Sequence, residues 1–317
     1  MSPRVLALCG GVGGAKLALG LARRLPPGAL AVLVNTGDDF THLGLHVSPD
    51  VDTVLYTLAG LANQTQGWGL EGESWAFMTA LARLGGEDWF RLGDADLATH
   101  VERTRRLAAG ETLTHITAAF AAALGVNQTI LPMSDDPVRT MLETEMGTLA
   151  FQDYFVRHRA APRVRAIRYD GAATARPSAR ALAALASPEL ELVVICPSNP
   201  WLSVAPLLSM PALRAALDAT RAPVVAVSPL IAGQAVKGPT AKLMAELGLA
   251  VNAATVADYY GGLLDGYVLD EADAALAPTV ARRGCAVELA ATLMTDLPTR
   301  EALAAHVLAF GARLASG

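Results

Sequence analysis

Cysteine is scarce in this chain, aromatic residues are few, and charge of either sign is thin. Each shortage excludes something. The three cysteines, Cys9, Cys196 and Cys285, are far apart and odd in number. They offer neither a disulfide framework nor a zinc-ligand spacing, and they predict a reducing, cytoplasmic location. With 5% aromatics, 17% charged residues, a net charge of −5 and no basic run, nothing suggests a nucleic-acid surface. No uninterrupted apolar run approaches the roughly 18 residues that a membrane span needs. Leu6-Ala7-Leu8-Cys9-Gly10 faintly resembles a lipoprotein cleavage site, but it sits too near the start and runs straight into Lys16, Arg23 and Arg24. No signal peptide is expected. Also missing are G-x-S-x-G, H-E-x-x-H and a Cys–His pair close in sequence, so covalent catalysis is not the first expectation.

What the chain has in quantity is apolar residues, 52% of 317, enough for one large α/β domain or two modest ones. Its organising stretch is Val5–Cys9, a short apolar strand, followed by Gly10-Gly11-Val12-Gly13-Gly14-Ala15-Lys16 and a helical repeat of Leu17, Leu21 and Leu25. Strand, glycine loop and helix together point backbone N–H groups and a helix N-terminus at an anion. Glycine also permits close backbone approach. Two known motifs nearly fit. The dinucleotide fingerprint has Lys16 where its third glycine belongs, and Ala15-Lys16-Leu17 replaces the Gly-Lys-Ser/Thr of a P-loop. The stretch therefore reads as a phosphate cradle (Gly10, Gly11, Gly13, Gly14, Lys16) or as a tight turn without ligand, and not as an NAD site.

Further strands are expected at Leu30–Val34, Gln128–Leu131, Val164–Tyr169, Leu190–Cys196, Val224–Val227 and Tyr267–Leu269, with a hairpin around Gly147. Helices lie between most of them, and one ends the chain at Glu301–Leu314. From about 57 to 125 the pattern is helical: Ser74–Leu84, Ala95–Leu107 and Leu113–Leu124. The expectation is a single Rossmann-like α/β domain over 1–317, a doubly wound, mostly parallel sheet carrying an all-helical insertion.

In such a sheet ligands bind where strands end. Those ends carry Asn35-Thr36-Gly37-Asp38-Asp39, Ser134-Asp135-Asp136, Ser198-Asn199 and Ser228-Pro229. Ser48-Pro49-Asp50-Val51-Asp52 reads as a helix entry. Asp50 and Asp52, two apart, cannot share a helix face, so only one of them can point where Asp39 points. An acid in a first helical turn contributes ~0.3–1 kcal/mol with no ligand at all. Carboxylates opposite a phosphate cradle also suit Mg²⁺, which makes Asp39, Asp50 and Asp52 the candidate ligands. Arg91, Asp94 and His100 form a second polar cluster. Asp94 could simply cap the helix it precedes, and His100 could be an ordinary buried histidine. Trp68 and Trp75 could be core or one wall of an aromatic-ligand pocket.

Taken in order, Gly10–Lys16, Asn35-Thr36-Gly37-Asp38-Asp39, Ser48–Tyr56, Leu92-Gly93-Asp94 with Leu97–His100, Leu131–Asp136, Phe151-Gln152-Asp153, Pro197–Pro200 and Leu293-Met294-Thr295 resemble the 2-phospho-L-lactate transferase family of coenzyme F-420 biosynthesis. The resemblance implies transfer of a phospholactyl or phosphoenolpyruvyl group from a guanosine diphosphate-linked donor to the ribityl hydroxyl of the deazaflavin Fo. It also implies release of GMP, a part for Mg²⁺, a Rossmann-like fold and a homodimer. Family Fo contacts fall on Asp52 and Arg91. Ala95 stands where relatives often carry arginine. On this basis Asp39 and Asp52 are the expected catalytic carboxylates, with Asn35, Ser134, Asp135, Ser198 and Asn199 on the substrate. The rival reading is a nucleotide-sugar-binding regulator of the same fold, without turnover.

Overall fold

A strand covered on both faces must be apolar throughout, and Val5–Cys9 and Leu30–Val34 are buried at every residue. In the computed structural model, which describes residues 3–316, they are interior strands of a seven-stranded sheet. Its strands are β1 (Val5–Cys9), β2 (Leu30–Val34), β3 (Thr129–Pro132), β4 (Leu192–Ile195), β5 (Val224–Val227), β6 (Gly266–Asp270) and β7 (Ala286–Ala290). They run in the order β7-β6-β5-β4-β1-β2-β3, and every neighbouring pair is parallel. The period of two divides each strand between two cores. Leu6, Leu8, Leu33 and Ile195 pack on one face, and Val5, Ala7, Val32 and Val194 on the other. This is the expected doubly wound α/β architecture.

The order reverses between β1 and β4. The chain first builds outward through β2 and β3, then returns to the far side of β1 for β4. Backbone loops leaving β1 and β4 therefore diverge and open a crevice beyond their carboxyl ends. The glycine loop and Pro197-Ser198-Asn199 leave the sheet at that point.

Helix α1 (Gly11–Arg24) packs against the C-terminal helix Leu297–Ala315 and against α2 (Pro49–Ala59). After α2 come α3 (Ala76–Arg83), α4 (Asp94–Ala108) and α5 (Leu113–Ala123), with no strand of the central sheet between α2 and β3. Among the described residues no helix is long and apolar enough to cross a membrane.

Three strand expectations change. Val164–Asp170 does not join the central sheet. It pairs antiparallel with Arg139–Thr144, which pairs with Gly147–Ala150 in the expected hairpin. Only Val164 of that strand is fully buried, so it lacks the two apolar faces a central position demands. The edge strand β7 was not expected, because as a half-exposed strand it presents no apolar run. Phe40–His42 and Leu45–Val47 form a short hairpin for which no strand was expected.

Candidate functional site

The glycines at the switch point are there because side chains will not fit. A Cβ on Gly13 would collide with the carbonyl oxygen of Pro197. One on Gly14 would lie 2.5 Å from Ser198 Oγ, and one on Gly10 would lie 2.6 Å from Asp50 Oδ2. Gly11 alone takes a positive φ, +63°, where glycine is favoured. Ser198 staples the two loops: its hydroxyl donates to Gly10 O (2.7 Å) and accepts from Gly10 N (3.2 Å). Asn199 caps its own turn through Trp201 N and Leu202 N and donates to Thr240 Oγ1.

Outside this junction lies a cleft of ≈ 780 Å³, lined by Gly10, Gly11, Gly13 and Lys16, by Asp38 and Asp50, and by Ser198 and Asn199. Gly14 is packed behind its wall. The helix N-terminus there is already partly satisfied. Gly11 N donates to Asp50 Oδ1 at 2.6 Å, so the cradle of the first turn is shared with a protein carboxylate.

Asn35, at the end of β2 and fully buried, gathers that acidic group. Its Nδ2 donates to Asp50 Oδ2 (2.9 Å) and Asp38 Oδ1 (3.3 Å), while its Oδ1 accepts from Gly37 N. Gln152 donates to the other Asp38 oxygen. Burial, reinforced by Asp50 and Asp39, pushes the Asp38 carboxyl well above the usual carboxylate range. Burial likewise raises Asp50 to about 6, against the opposing pull of its Asn35 and Gly11 hydrogen bonds. Asp39 lies just behind the cleft wall, 3% exposed. Its Oδ2 accepts from Ser48 Oγ (2.8 Å) and faces His46 Nε2 (3.1 Å), and its Oδ1 has no partner. Asp38, outside the expected set, thus lines the cleft ahead of Asp39. Nothing but its position next to Asp39 could have signalled it.

Asp52 turns the other way. As the two-residue spacing predicts, it leaves the face of α2 that Asp50 occupies, and it forms a bidentate pair with the buried guanidinium of Arg103 on α4. His100 Nδ1 lies 3.3 Å from Arg103 Nη1, and its Nε2 lies 3.3 Å from Asp96. Tyr56 Oη donates to Asp96 (2.7 Å). The result is a buried ionic network between α2 and α4, and Asp52 is not on the cleft wall. Ser134 and Asp135 lie outside the cleft as well. The Ser134 hydroxyl donates to Arg176 O, and Asp135 accepts from Thr114 N at the start of α5. The polar loop after β3 is consumed by local bonding, so three of the four polar loops join the glycine loop in lining the site.

The lining of this cleft is also aromatic and partly basic. Trp68, Trp89, Phe90, Phe151 and Phe155 line it with Arg91. Arg91 stacks 4.1 Å over the Trp75 ring, which meets Trp68 edge-on. Phe151 and Phe155 stack face to face, 5.4 Å apart. The helices on either side of Arg91 cap each other. Asp94 does not cap its own helix: its carboxylate accepts from Ser74 Oγ, Ala76 N and Phe77 N at the start of α3. Glu73 in turn accepts from Ala95 N and Asp96 N at the start of α4. Ala95 contributes its N–H and no side-chain charge.

Among the described residues no three His, Cys, Asp or Glu side chains converge as a metal cage. Mg²⁺ needs no such cage, since it commonly takes one or two carboxylates together with substrate phosphate and water. The unpartnered Asp39 Oδ1 and the mutually repelling Asp38 and Asp50 fit a small divalent cation, and Asp52, neutralised by Arg103, does not.

A switch-point crevice lined by glycine backbone, charged groups and aromatic rings defines the class as a doubly wound α/β protein with a polar and aromatic cleft. A family model described as 2-phospho-L-lactate transferase CofD matches residues 5–308. The chain belongs to that transferase family. It is 40% identical to a phosphoenolpyruvate transferase of Kitasatospora aureofaciens, covering 99% of both chains, and 38% identical to a 2-phospho-L-lactate transferase of Methanosarcina mazei, covering 96% of this chain and 99% of the other. A crystal structure of a UPF0052-family protein from Bacillus halodurans matches with a TM-score of 0.59 at 14% identity, over 97% of this chain and 99% of that one, a likeness of fold alone.

Proposed function

We propose that this protein transfers a phosphoenolpyruvyl or phospholactyl group from a guanosine diphosphate-linked donor to the ribityl hydroxyl of Fo, with release of GMP, in coenzyme F-420 biosynthesis. The observation that carries this is a single cleft lined both by the glycine loop, cations and carboxylates and by aromatic rings together with the stacked Arg91. Donor phosphates lie along Gly10–Gly13 and Lys16, with Ser198 holding the glycine loop in shape. The deazaflavin rings lie against the aromatic wall, where Arg91 meets their polar edge.

The acceptor hydroxyl attacks the phosphorus that bears the three-carbon acid. The phosphorus–oxygen bond to the GMP phosphate breaks, and GMP leaves with that oxygen. The hydroxyl proton passes to Asp38, a cleft carboxylate whose proton affinity burial raises. Asp39 and Asp50 would hold Mg²⁺, which when bound supplies charge neutralisation at the phosphates. Asp52 serves at one remove: with Arg103 it fixes α4, and hence Arg91, against α2. Incubating the purified protein with Fo and each guanylated donor, then weighing the products, tests the proposal. A product heavier than Fo by one phosphorylated three-carbon acid less one water is expected. Absence of product together with binding of a UDP-sugar would favour the nucleotide-sugar regulator instead.

A further inference from the structure

Lysine is rare here. Of 25 basic residues only Lys16, Lys237 and Lys242 are lysines, so the chain meets almost every ordinary need for positive charge with arginine. Two of the three line the cleft. Lys16 donates from Nζ to Met294 O at 2.8 Å. Lys237 follows the two-residue strand Gln234–Ala235 and reaches across to the Gln66–Trp68 loop, its ammonium lying against the backbone of Gly67. Behind them is Arg300 of the C-terminal helix, 6% exposed. Its Nη2 donates to Gln64 Oε1 (3.1 Å), and its Nε has no partner.

None of these three cations is in a salt bridge among the described residues, whereas Lys242, the third lysine, pairs with Glu246 at 2.6 Å. Burial, then Arg300 and Lys237, push the Lys16 ammonium below its usual range, and burial does the same to Arg300. The carboxylate that Arg300 senses, Asp296, is engaged in capping its own helix at Thr299. Like charges brought together without a counter-ion repel, and the arrangement becomes favourable when an anion enters. A lysine ammonium is a compact point charge with three donors, suited to an oxyanion approached from one side.

We infer that Lys237, with Lys16, forms an oxyanion subsite for an acidic group of the donor, and that Arg300 is a positioning residue behind it. This deepens the transfer proposed above and rests on it. Two donor groups have the required chemistry: the diphosphate, and the carboxylate of the three-carbon acid.

Calorimetry with inorganic pyrophosphate, GDP and the guanosine-linked phosphoenolpyruvate conjugate tests it on wild type, Lys237→Met, Lys242→Met, Arg300→Met and Arg300→Lys. Lys237→Met should weaken binding about tenfold, the scale of one charge-assisted contact, while Lys242→Met leaves it unchanged. Loss on pyrophosphate and GDP assigns the subsite to the diphosphate. Loss confined to the acid-bearing conjugate assigns it to the carboxylate. Arg300→Met should weaken the same ligand, and Arg300→Lys should recover part of that loss at the same melting temperature. Wild-type affinity in Lys237→Met for all three ligands overturns the subsite, as does failure of wild type to bind any of them. Fluorescence titration of wild type with Fo runs in parallel. Absent Fo binding with the lysine effects intact defeats the transferase proposal and leaves the subsite standing.

Discussion

Asp50 and Asp52 sit two residues apart in the first turn of one helix, both buried, and they belong to different regions. Asp50 faces the sheet. It accepts from Gly11 N and Asn35 Nδ2, has no cation beside it, and is pushed up to about 6. Asp52 faces the insertion, where Arg103 meets it with two N–H groups in the company of His100, Asp96 and Tyr56. The sheet-edge region stores unneutralised negative charge next to a cleft, and the insertion neutralises its charge internally. A site that must receive a cation or release a proton resembles the first. A joint that must hold two helices in register resembles the second. The sharpest way to break the comparison is to unpair the second region. Arg103→Met leaves the Asp52 carboxylate buried without its partner, and urea denaturation should show a loss of about 3–5 kcal/mol. A loss under 1 kcal/mol would mean that the network does not fix the insertion.

The first region should reveal its stored charge through pH. An acid whose folded value lies above its unfolded one binds a proton more tightly when folded. Its carboxyl is protonated in both states below about 3.8 and ionised in both above about 6. Between those limits only the folded state keeps the proton, so stability falls as pH rises through the window. The span bounds the loss at about 3 kcal/mol. Asp96, whose carboxyl is held below its usual range by His100 and Tyr56 against burial, runs the opposite way, so the readout is a difference. In EDTA, wild type minus Asp50→Asn should lose stability from pH 4 to 6. A flat difference would remove Asp50 from the unpaired group.

Gly13→Ala tests how tightly the two loops are closed. The new methyl meets the Pro197 carbonyl, which is backbone and cannot swing aside. Overpacking of this kind costs about 1–3 kcal/mol. Calorimetry should show weaker GDP binding along with the lower melting temperature, and unchanged GDP affinity would separate the glycine loop from the phosphate site.

Sequence pattern made the sheet edge largely readable and the insertion only partly so. Local spacing carries the strand, glycine loop and helix of residues 5–24, and the apolar runs of β2, β4 and β5 announce strands covered on both faces. The helices of the insertion were legible as well, within a few residues at their ends. What spacing could not carry was partnership over distance. Arg103 lies 51 residues from Asp52, and no local signal separates it from Arg105 and Arg106, which pair on the surface with Glu102 and Glu111. Lys237 and Arg300 reach the cleft only through tertiary packing. Ser134 and Asp135 had the right chemistry on the right edge, yet nearby backbone groups claimed them.

The smallest expected effect tests how Arg91 is held. Each helix of the α3–α4 pair is capped by an acid from the other side: Asp94 accepts from Ala76 N and Phe77 N, and Glu73 accepts from Ala95 N and Asp96 N. The hydrogen bonds from Ser74, Phe77 and Ala76 hold the Asp94 carboxyl below its usual range. Losing one cap costs about 1 kcal/mol. Were the caps merely local, Asp94→Ala and Glu73→Ala would add within about 0.3–0.5 kcal/mol in the double variant. Each, however, fixes the start of the helix whose partner cap it needs, so the second substitution should cost less than the first and the double-mutant cycle should show coupling above that limit. Fo titration supplies the functional half. Both single variants should weaken Fo binding, because Arg91 leaves the Trp75 ring when either helix start frays, while pyrophosphate binding at the sheet edge should not change. Additive stability losses with Fo affinity intact would show that Arg91 is positioned by Trp75 alone.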